Sequence, residues 1–271
     1  MNDAHRFLPT HSVFAAKRWE SGRLIERDES VAEEIPVALI YNGLPHVVMM
    51  ASPSDLEEFA LGFSLSEGVL QDKSQMYSVV ATPVSSGIEI RMDIDLMRYL
   101  PLEEQRRNLA GRTGCGLCGA ETFEQAIRHP APVGTGPRLS AHTINAAFAS
   151  IAQYQTLNAR TGAVHGAAWA SEKGEVQCVR EDVGRHNALD KMIGAMTHKG
   201  QRFDEGFALI TSRASFEMVQ KAASVGITVL AAISAPTALA IRLAQETGVT
   251  LIGFSRAGCF NIYANAQRIS S

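Results

Sequence analysis

The chain has 271 residues, 46% of them apolar and 20% charged, with a formal charge of −3, which describes a globular protein of one large or two ordinary domains. So small a negative balance excludes a global basic field, so neither nucleic acid nor an anionic membrane is an expected partner, and any anionic ligand must be held by a few local arginines. The longest apolar run, Val225 to Ala235, reaches about half of the ~20 residues a membrane helix needs. The opening Met1-Asn2-Asp3-Ala4-His5-Arg6 lacks the form of a signal peptide, and 4 cysteines are too few for a disulfide scaffold, so reduced thiols and a cytoplasmic location are expected.

Residues 1–30 are polar and mixed in charge and read as an irregular lead-in. From there Ile35 to Tyr41 and His46 to Met50 read as strands joined at Asn42-Gly43, a pair favoured where a type I′ turn needs two positive φ angles. Ser54-Asp55-Leu56-Glu57 has the form of a capping box, and Leu56, Phe59, Ala60 and Phe63 then recur at helical spacing up to Gly68. Met76 to Thr82 and Gly87 to Ile94 alternate as an antiparallel pair, so residues 31–137 are expected to form a smaller α+β domain. The stretch 130–137, rich in proline and glycine, reads as a linker, and residues 138–271 as a second, α/β domain.

In that second domain Ile144, Phe148 and Ile151 line a helix, and Ala163 to Ala170 and Val176 to Val179 flank a turn at Glu172-Lys173-Gly174. Apolar strands (Phe207 to Thr211, Ile227 to Ile233, Val249 to Phe254) then alternate with helical stripes (Leu189, Met192, Ile193 and Met196; Met218, Val219 and Ala222). Pro236 is expected in the first turn of a further helix. The pattern predicts a mainly parallel sheet covered on both faces.

Three stretches carry chemistry. Gly114-Cys115-Gly116-Leu117-Cys118-Gly119 places two thiols among glycines, just before the helical run Glu121 to Arg128 and close to Arg112. A helix N-terminus and a cation favour the thiolate, the nucleophilic form. Such a loop suits a sulfur carrier. A zinc knuckle, a thioredoxin-type redox pair and two purely structural thiols are its rivals. Cys178, Cys259 and the histidines offer no second knuckle spacing, and the thioredoxin pair belongs early in a smaller domain, directly after a strand. The glycines also match a dinucleotide fingerprint, but without the preceding strand or the later acidic residue.

Glu181 to Lys191 is the densest polar cluster and falls between a strand and a helix, where α/β proteins bind ligands. There Asn187 is a candidate helix cap, Arg185 a phosphate partner and Asp182 an acceptor for the N1 and N2 donors of a guanine, against the alternative of a solvated turn with an Asp–Arg pair. Thr211-Ser212-Arg213 and Ser255-Arg256 follow buried strands in the same way, and three such sites at successive strand ends point to a pocket for a phosphate-bearing ligand. Cys259 reads as a small filler and His165 as a core histidine.

These stretches resemble one family, the formate dehydrogenase accessory sulfurtransferases of the FdhD type. The resemblance runs from Glu34-Ile35-Pro36 and Asn42-Gly43 through Gly62-Phe63, Glu67-Gly68 and Arg112 to Gly119. It continues through Glu181 to Lys191, Thr211-Ser212-Arg213 with Glu217, Ser234 to Thr237, and Gly253-Phe254 with Asn261-Ile262-Tyr263. It implies a cytidine-deaminase-like three-layer α/β domain behind a smaller N-terminal one, in a homodimer. It also implies a sulfurtransferase: Cys115 takes sulfur as a persulfide from a cysteine desulfurase and passes it to the molybdenum (or tungsten) bis-molybdopterin guanine dinucleotide cofactor, bound as substrate, before insertion into apo formate dehydrogenase. Phe254, Ser255, Arg256, Ala257, Gly258 and Cys259 match the family's cofactor-binding region. Guanine nucleotides are the natural mimics, Arg213, Arg256 and Arg185 would neutralise phosphates, and Cys118 would either resolve the persulfide or act as a second carrier. A cofactor chaperone without sulfur chemistry and a thiol–disulfide oxidoreductase are the alternatives. A zinc deaminase does not fit, because His165-Gly166-Ala167 lacks the glutamate and the CxxC lies upstream without its proline.

Overall fold

The computed structural model describes residues 8–109, 129–256 and 258–270. It opens with a surprise. The expected irregular lead-in contains a long hairpin, β1 (His11–Glu20) and β2 (Arg23–Ala32), paired antiparallel over their whole length. Ser21 (φ 48°) and Gly22 (φ 86°) form the two-residue turn with both φ angles positive, as a type I′ hairpin requires. Both faces carry charges among the apolar residues, which hides the strand alternation in the sequence.

The strands β3 (Ile35–Tyr41) and β4 (Leu44–Ala51) are joined at Asn42 (φ 47°) and Gly43 (φ 82°), as the Asn-Gly pair predicts. Helix α1 (Leu56–Ser66) follows, then β5 (Met76–Val84), β6 (Gly87–Ile94) and α2 (Leu96–Leu109). The sheet order is β4-β3-β6-β5, with β3 and β6 parallel and the outer pairs antiparallel. Its inner face (Val37, Leu39, Tyr41, Ile88, Ile90, Met92) packs on Leu56, Phe59 and Ala60 of α1. The capping box is absent. Asp55 is the N-cap in a left-handed conformation (φ 53°) with no side-chain cap, and its carboxylate lies 3.3 Å from Arg180 instead.

Beyond the short strand β7 (Leu139–Ser140) come α3 (Ala141–Ile151), α4 (Thr156–Thr161), β8 (His165–Ser171), β9 (Val176–Asp182) and α5 (Arg185–His198). Then β10 (Gly206–Ile210), α6 (Phe216–Ser224), β11 (Val229–Ala232), α7 (Ala238–Thr247), β12 (Thr250–Arg256), β13 (Cys259–Ala264) and β14 (Ile269–Ser270) complete the chain. The six-stranded sheet has the order β13-β12-β11-β10-β8-β9. Four strands (β9 to β12) run one way, with β8 and β13 reversed. One face packs on α3 through Ile144, Ala147 and Ile151, and the other on α5, α6 and α7, giving the expected three-layer α/β form. Pro236 stands just before α7, whose cap is Thr237, accepting from the Ala240 N–H at 3.2 Å.

The stretch 130–137 is tied down. The Val133 N–H donates to Thr247 O (2.8 Å), and the Arg268 guanidinium donates to the carbonyls of Gly134 (2.6 Å), Gly248 (2.7 Å) and Thr135.

The two sheets are joined through α1 and α5, which cross at almost bare backbone. A Cβ on Gly62 would lie 1.7 Å from the Asp190 carbonyl oxygen, and one on Gly194 1.9 Å from that of Glu58. Glycines four residues from those partners on each helix let the ridges meet without side chains between them. Around the crossing, Lys221 of α6 donates to both Asp190 oxygens (3.0 and 2.9 Å) and lies 2.7 Å from Glu67, while Ser66 donates to Asp190 (2.6 Å). Replacing Gly62 by Val is expected to cost about 3 kcal/mol or more, because the obstruction is backbone and cannot rotate away. Urea denaturation of Gly62→Val beside the parent protein measures it.

Candidate functional site

Strand directions collect the chemistry-bearing residues at one sheet edge. There lie the carboxyl ends of β9, β10, β11 and β12, the amino ends of β8 and β13, and the N-termini of α5, α6 and α7. Arg185, Arg213, Ser255 and Arg256, which the sequence places after separate strands, thus share this edge. The helix N-termini add N–H donors and the positive ends of three dipoles.

Asp182 is at the same edge but faces inward. It is fully buried, and its Oδ2 lies 2.7 Å from Lys191 Nζ and accepts the Ser52 N–H (2.9 Å). Its Oδ1 accepts the Gly184 N–H (2.7 Å) and the Asn187 side-chain amide (3.0 Å). Lys191 also donates to Ser52 O (3.0 Å), the Val183 N–H to Ser52 Oγ (3.1 Å), and Asn187 to Met50 O (2.8 Å). With both oxygens engaged inside the protein, Asp182 ties the β4–α1 connection to the start of α5 and has no acceptor left for a guanine. Nor does Asn187 cap the helix. Gly184 is the N-cap, and Asn187 lies a turn inside, facing Asp182.

Arg185, in the first turn of α5, is partly exposed, and its Nε is buried with no partner among the described residues. Glu217 of α6 sits opposite, 4.0 Å from the Arg185 guanidinium and 2.8 Å from Nε2 of His186. The bond to His186 holds the Glu217 carboxyl below its ordinary pKa. His165 is half-buried; burial first, then the charges of Arg185 and His186, lower its pKa. It is therefore an edge histidine in a cationic neighbourhood, not a satisfied core one.

Of Thr211-Ser212-Arg213 only the arginine faces outward. Thr211 Oγ1 accepts the Gly166 N–H (2.8 Å), and the Ser212 hydroxyl donates to Arg213 O (3.1 Å). On β12, Phe254 takes a left-handed conformation (φ 55°) at an irregularity in the β12–β13 pairing and leaves its ring 45% exposed. Holding a bulky residue there costs on the order of 1–3 kcal/mol, a strain that concentrates at functional sites. Ser255 beside it is buried, and its hydroxyl has no partner among the described residues. Arg256 ends β12, Gly258 (φ 85°) makes the turn, and Cys259 is exposed, so it fills no core space. Cys115, Cys118 and Ala257 lie outside the described residues.

Sequence reasoning missed Gln155, whose buried side-chain amide nitrogen has no partner among the described residues and abuts Gly166 at the amino end of β8. It precedes a helix of only six residues, α4, with no motif to announce it. His186 and Glu217 could have been found, since each falls in the first turn of a helix that follows a strand ending at this side of the sheet. Among the described residues no cluster of His, Cys, Asp and Glu could hold a metal, and no helix is long and apolar enough to cross a membrane.

This fold defines a three-layer α/β protein whose arginines and helix N-termini gather at the carboxyl ends of its strands. The model of the FdhD/NarQ family matches residues 32–270, and the chain belongs to that family. It is 52% identical over 261 residues to the sulfur carrier protein FdhD of Cupriavidus necator, covering 96% of this chain and 91% of the relative. It is 48% identical over 265 residues to the protein of that name in Bordetella bronchiseptica, covering 97% and 96%. The crystal structure of a protein assigned as a formate dehydrogenase accessory protein from Desulfotalea psychrophila is similar at TM-score 0.79 and 25% identity, covering 97% of this chain and 100% of that one.

Two outcomes are expected. Asp182→Ala should lose about 3–5 kcal/mol in urea denaturation, because it leaves Lys191 buried without its partner. The His165 ring should titrate below 6.5 by NMR, and Arg185→Ala should move its midpoint upward. Because the folded pKa is depressed, the unfolded chain takes up the proton first, so His165 makes the fold less stable as pH falls through 6.5.

Proposed function

We propose that this chain is a sulfur carrier in formate dehydrogenase maturation, loading sulfur on Cys115 and delivering it to a guanine-dinucleotide metal cofactor held as substrate at the sheet edge. Family membership and the names of its relatives support sulfur carriage. The observation that carries the ligand half is a set of buried donors at that one edge left without partners among the described residues: Gln155 Nε2, Arg185 Nε and the Ser255 hydroxyl. A buried donor without an acceptor costs about 1–3 kcal/mol, which a ligand rich in oxygen acceptors recovers.

In this reading Arg213 and Arg185 neutralise phosphates, with the N-termini of α5, α6 and α7 behind them. The stretch from Arg256 through Ala257 and Gly258 to Cys259 is assigned to the same ligand on its resemblance to the family's cofactor-binding region. The exposed Phe254 ring offers a face on which a base can stack. Glu217 holds Arg185 only loosely, at 4.0 Å, so the guanidinium can exchange that carboxylate for a phosphate. Sulfur moves by simple displacement. The Cys115 thiolate attacks the terminal sulfur of a cysteine desulfurase persulfide, the donor's S–S bond breaks, the donor cysteine leaves as thiolate, and a new S–S bond forms on Cys115. No electrons are gained or lost overall. Cys118 then either resolves that persulfide or acts as a second carrier.

Guanosine diphosphate is the probe for the edge. Titration calorimetry should show binding that weakens at least tenfold in Arg213→Ala and in Phe254→Ala, with thermal unfolding unchanged. Cys115→Ala should bind as the parent does yet leave formate dehydrogenase inactive in cells lacking the native protein. Full activity with Cys115→Ala would favour a cofactor chaperone, and no nucleotide binding would remove the edge from the account.

A further inference from the structure

We propose that the β1–β2 hairpin is an exchange arm, packing across the open face of the four-stranded sheet in a second copy of this chain. The arm stands almost alone. Among the described residues its main packing beyond its own pairing is β2 against α4, and an isolated two-stranded hairpin is marginal in water. It nevertheless exposes large apolar side chains. Phe14 is 56% exposed, Ile25 45% and Val31 44%, and the pairing register puts these three on one face with Arg18, Arg27 and Glu29.

A matching surface is open elsewhere on the same chain. The registers of β3, β4, β5 and β6 place Val48, Met50, Val80 and Val84 on the sheet face opposite α1, and they are 64, 47, 48 and 41% exposed. Between these apolar flanks runs the ridge Glu89, Arg91 and Asp93 of β6. Arg91 pairs with Glu89 (2.8 Å), which leaves Asp93, an acceptor for the Ser78 hydroxyl, as the surplus negative charge. The arm face is complementary, for Arg27 pairs with Glu29 (2.8 Å), Glu20 stands opposite Arg23, and Arg18 is the surplus cation.

The arm does not cover its own sheet. Only Glu33 and Glu34 connect β2 to β3, and Glu33 is fixed at the arm's base, its N–H donating to Thr10 O (2.9 Å) and its carboxylate accepting from Ser12. That base directs the hairpin toward α4. One arm and one open face per chain are what a closed two-fold exchange requires. Strands of ten residues run about 33 Å at 3.3 Å each, and two strands cover roughly 300 Å² per face. Each copy would bury an arm face and a sheet face, roughly 600 Å², near the ~800 Å² per partner of stable interfaces.

The test is made on the full chain. Analytical ultracentrifugation at micromolar concentration should give a dimer, and Phe14→Glu and Val48→Glu should each shift it to monomer without altering the circular dichroism of the fold. A photo-crosslinking residue in place of Ile25, in a mixture of ¹⁴N- and ¹⁵N-labelled copies, should link the arm to peptides of β4 or β5 in the other copy. A monomer at every concentration would overturn the proposal. So would a dimer that both substitutions leave intact, or crosslinks confined to one copy or reaching a different surface.

Discussion

The Asp182–Lys191 ion pair, 2.7 Å long and wholly shut off from water, is the contact on which the rest of the structure depends. Burying two charges is unfavourable unless their remaining hydrogen-bonding capacity is met inside. Here it is met from the other sheet, because Ser52 offers its N–H to Asp182, its carbonyl to Lys191 and its hydroxyl to the Val183 N–H. Removing any member leaves a buried group uncompensated. The connection between β4 and α1 is thereby locked to the turn that opens α5, and with it the position of Arg185 and His186.

A second buried network, Lys221 with Asp190, Glu67 and Ser66, fixes α6 against the same pair of helices. The glycine contacts of Gly62 and Gly194 set how closely those helices approach. The two networks therefore determine the distance between the first turns of α5 and α6, where Arg185, His186 and Glu217 meet. A rigid foundation below leaves the edge above free to keep unpaired donors and a strained Phe254, features that would be liabilities in a core.

Much of this was readable in the sequence wherever a local rule governs. Asn42-Gly43 announces its turn because few other pairs accept two positive φ angles. The apolar runs at Phe207, Ile227 and Val249 announce strands covered on both faces, and the polar residues after them announce the edge. What stayed hidden depends on partners far along the chain. Ser54 to Glu57 has the letters of a capping box, but Arg180, more than a hundred residues away, draws Asp55 and Glu58 into ion pairs and the cap is not made. Asp182 looks like a binding residue because it lies beside Arg185, and only the structure reveals Lys191 and Ser52 around it. Gly62 and Gly194 give no sign of each other, and the first hairpin hides because its two faces are equally mixed.

The geometry thus divides the polar cluster that begins at Glu181 into two kinds of residue. Asp182, Asn187, Asp190 and Lys191 hold the fold, while Arg185 and His186 face the edge with Arg213, Ser255 and Phe254. The proposed delivery asks for such a division, since the receiving edge must keep its shape while a thiol from elsewhere in the chain brings its load. The most direct test is the mass of the intact protein after incubation with a cysteine desulfurase and cysteine. The account predicts a gain of one sulfur atom, located on the peptide containing Cys115 and absent from Cys115→Ala. An unchanged mass, with the same peptide merely cycling between dithiol and disulfide, would contradict it.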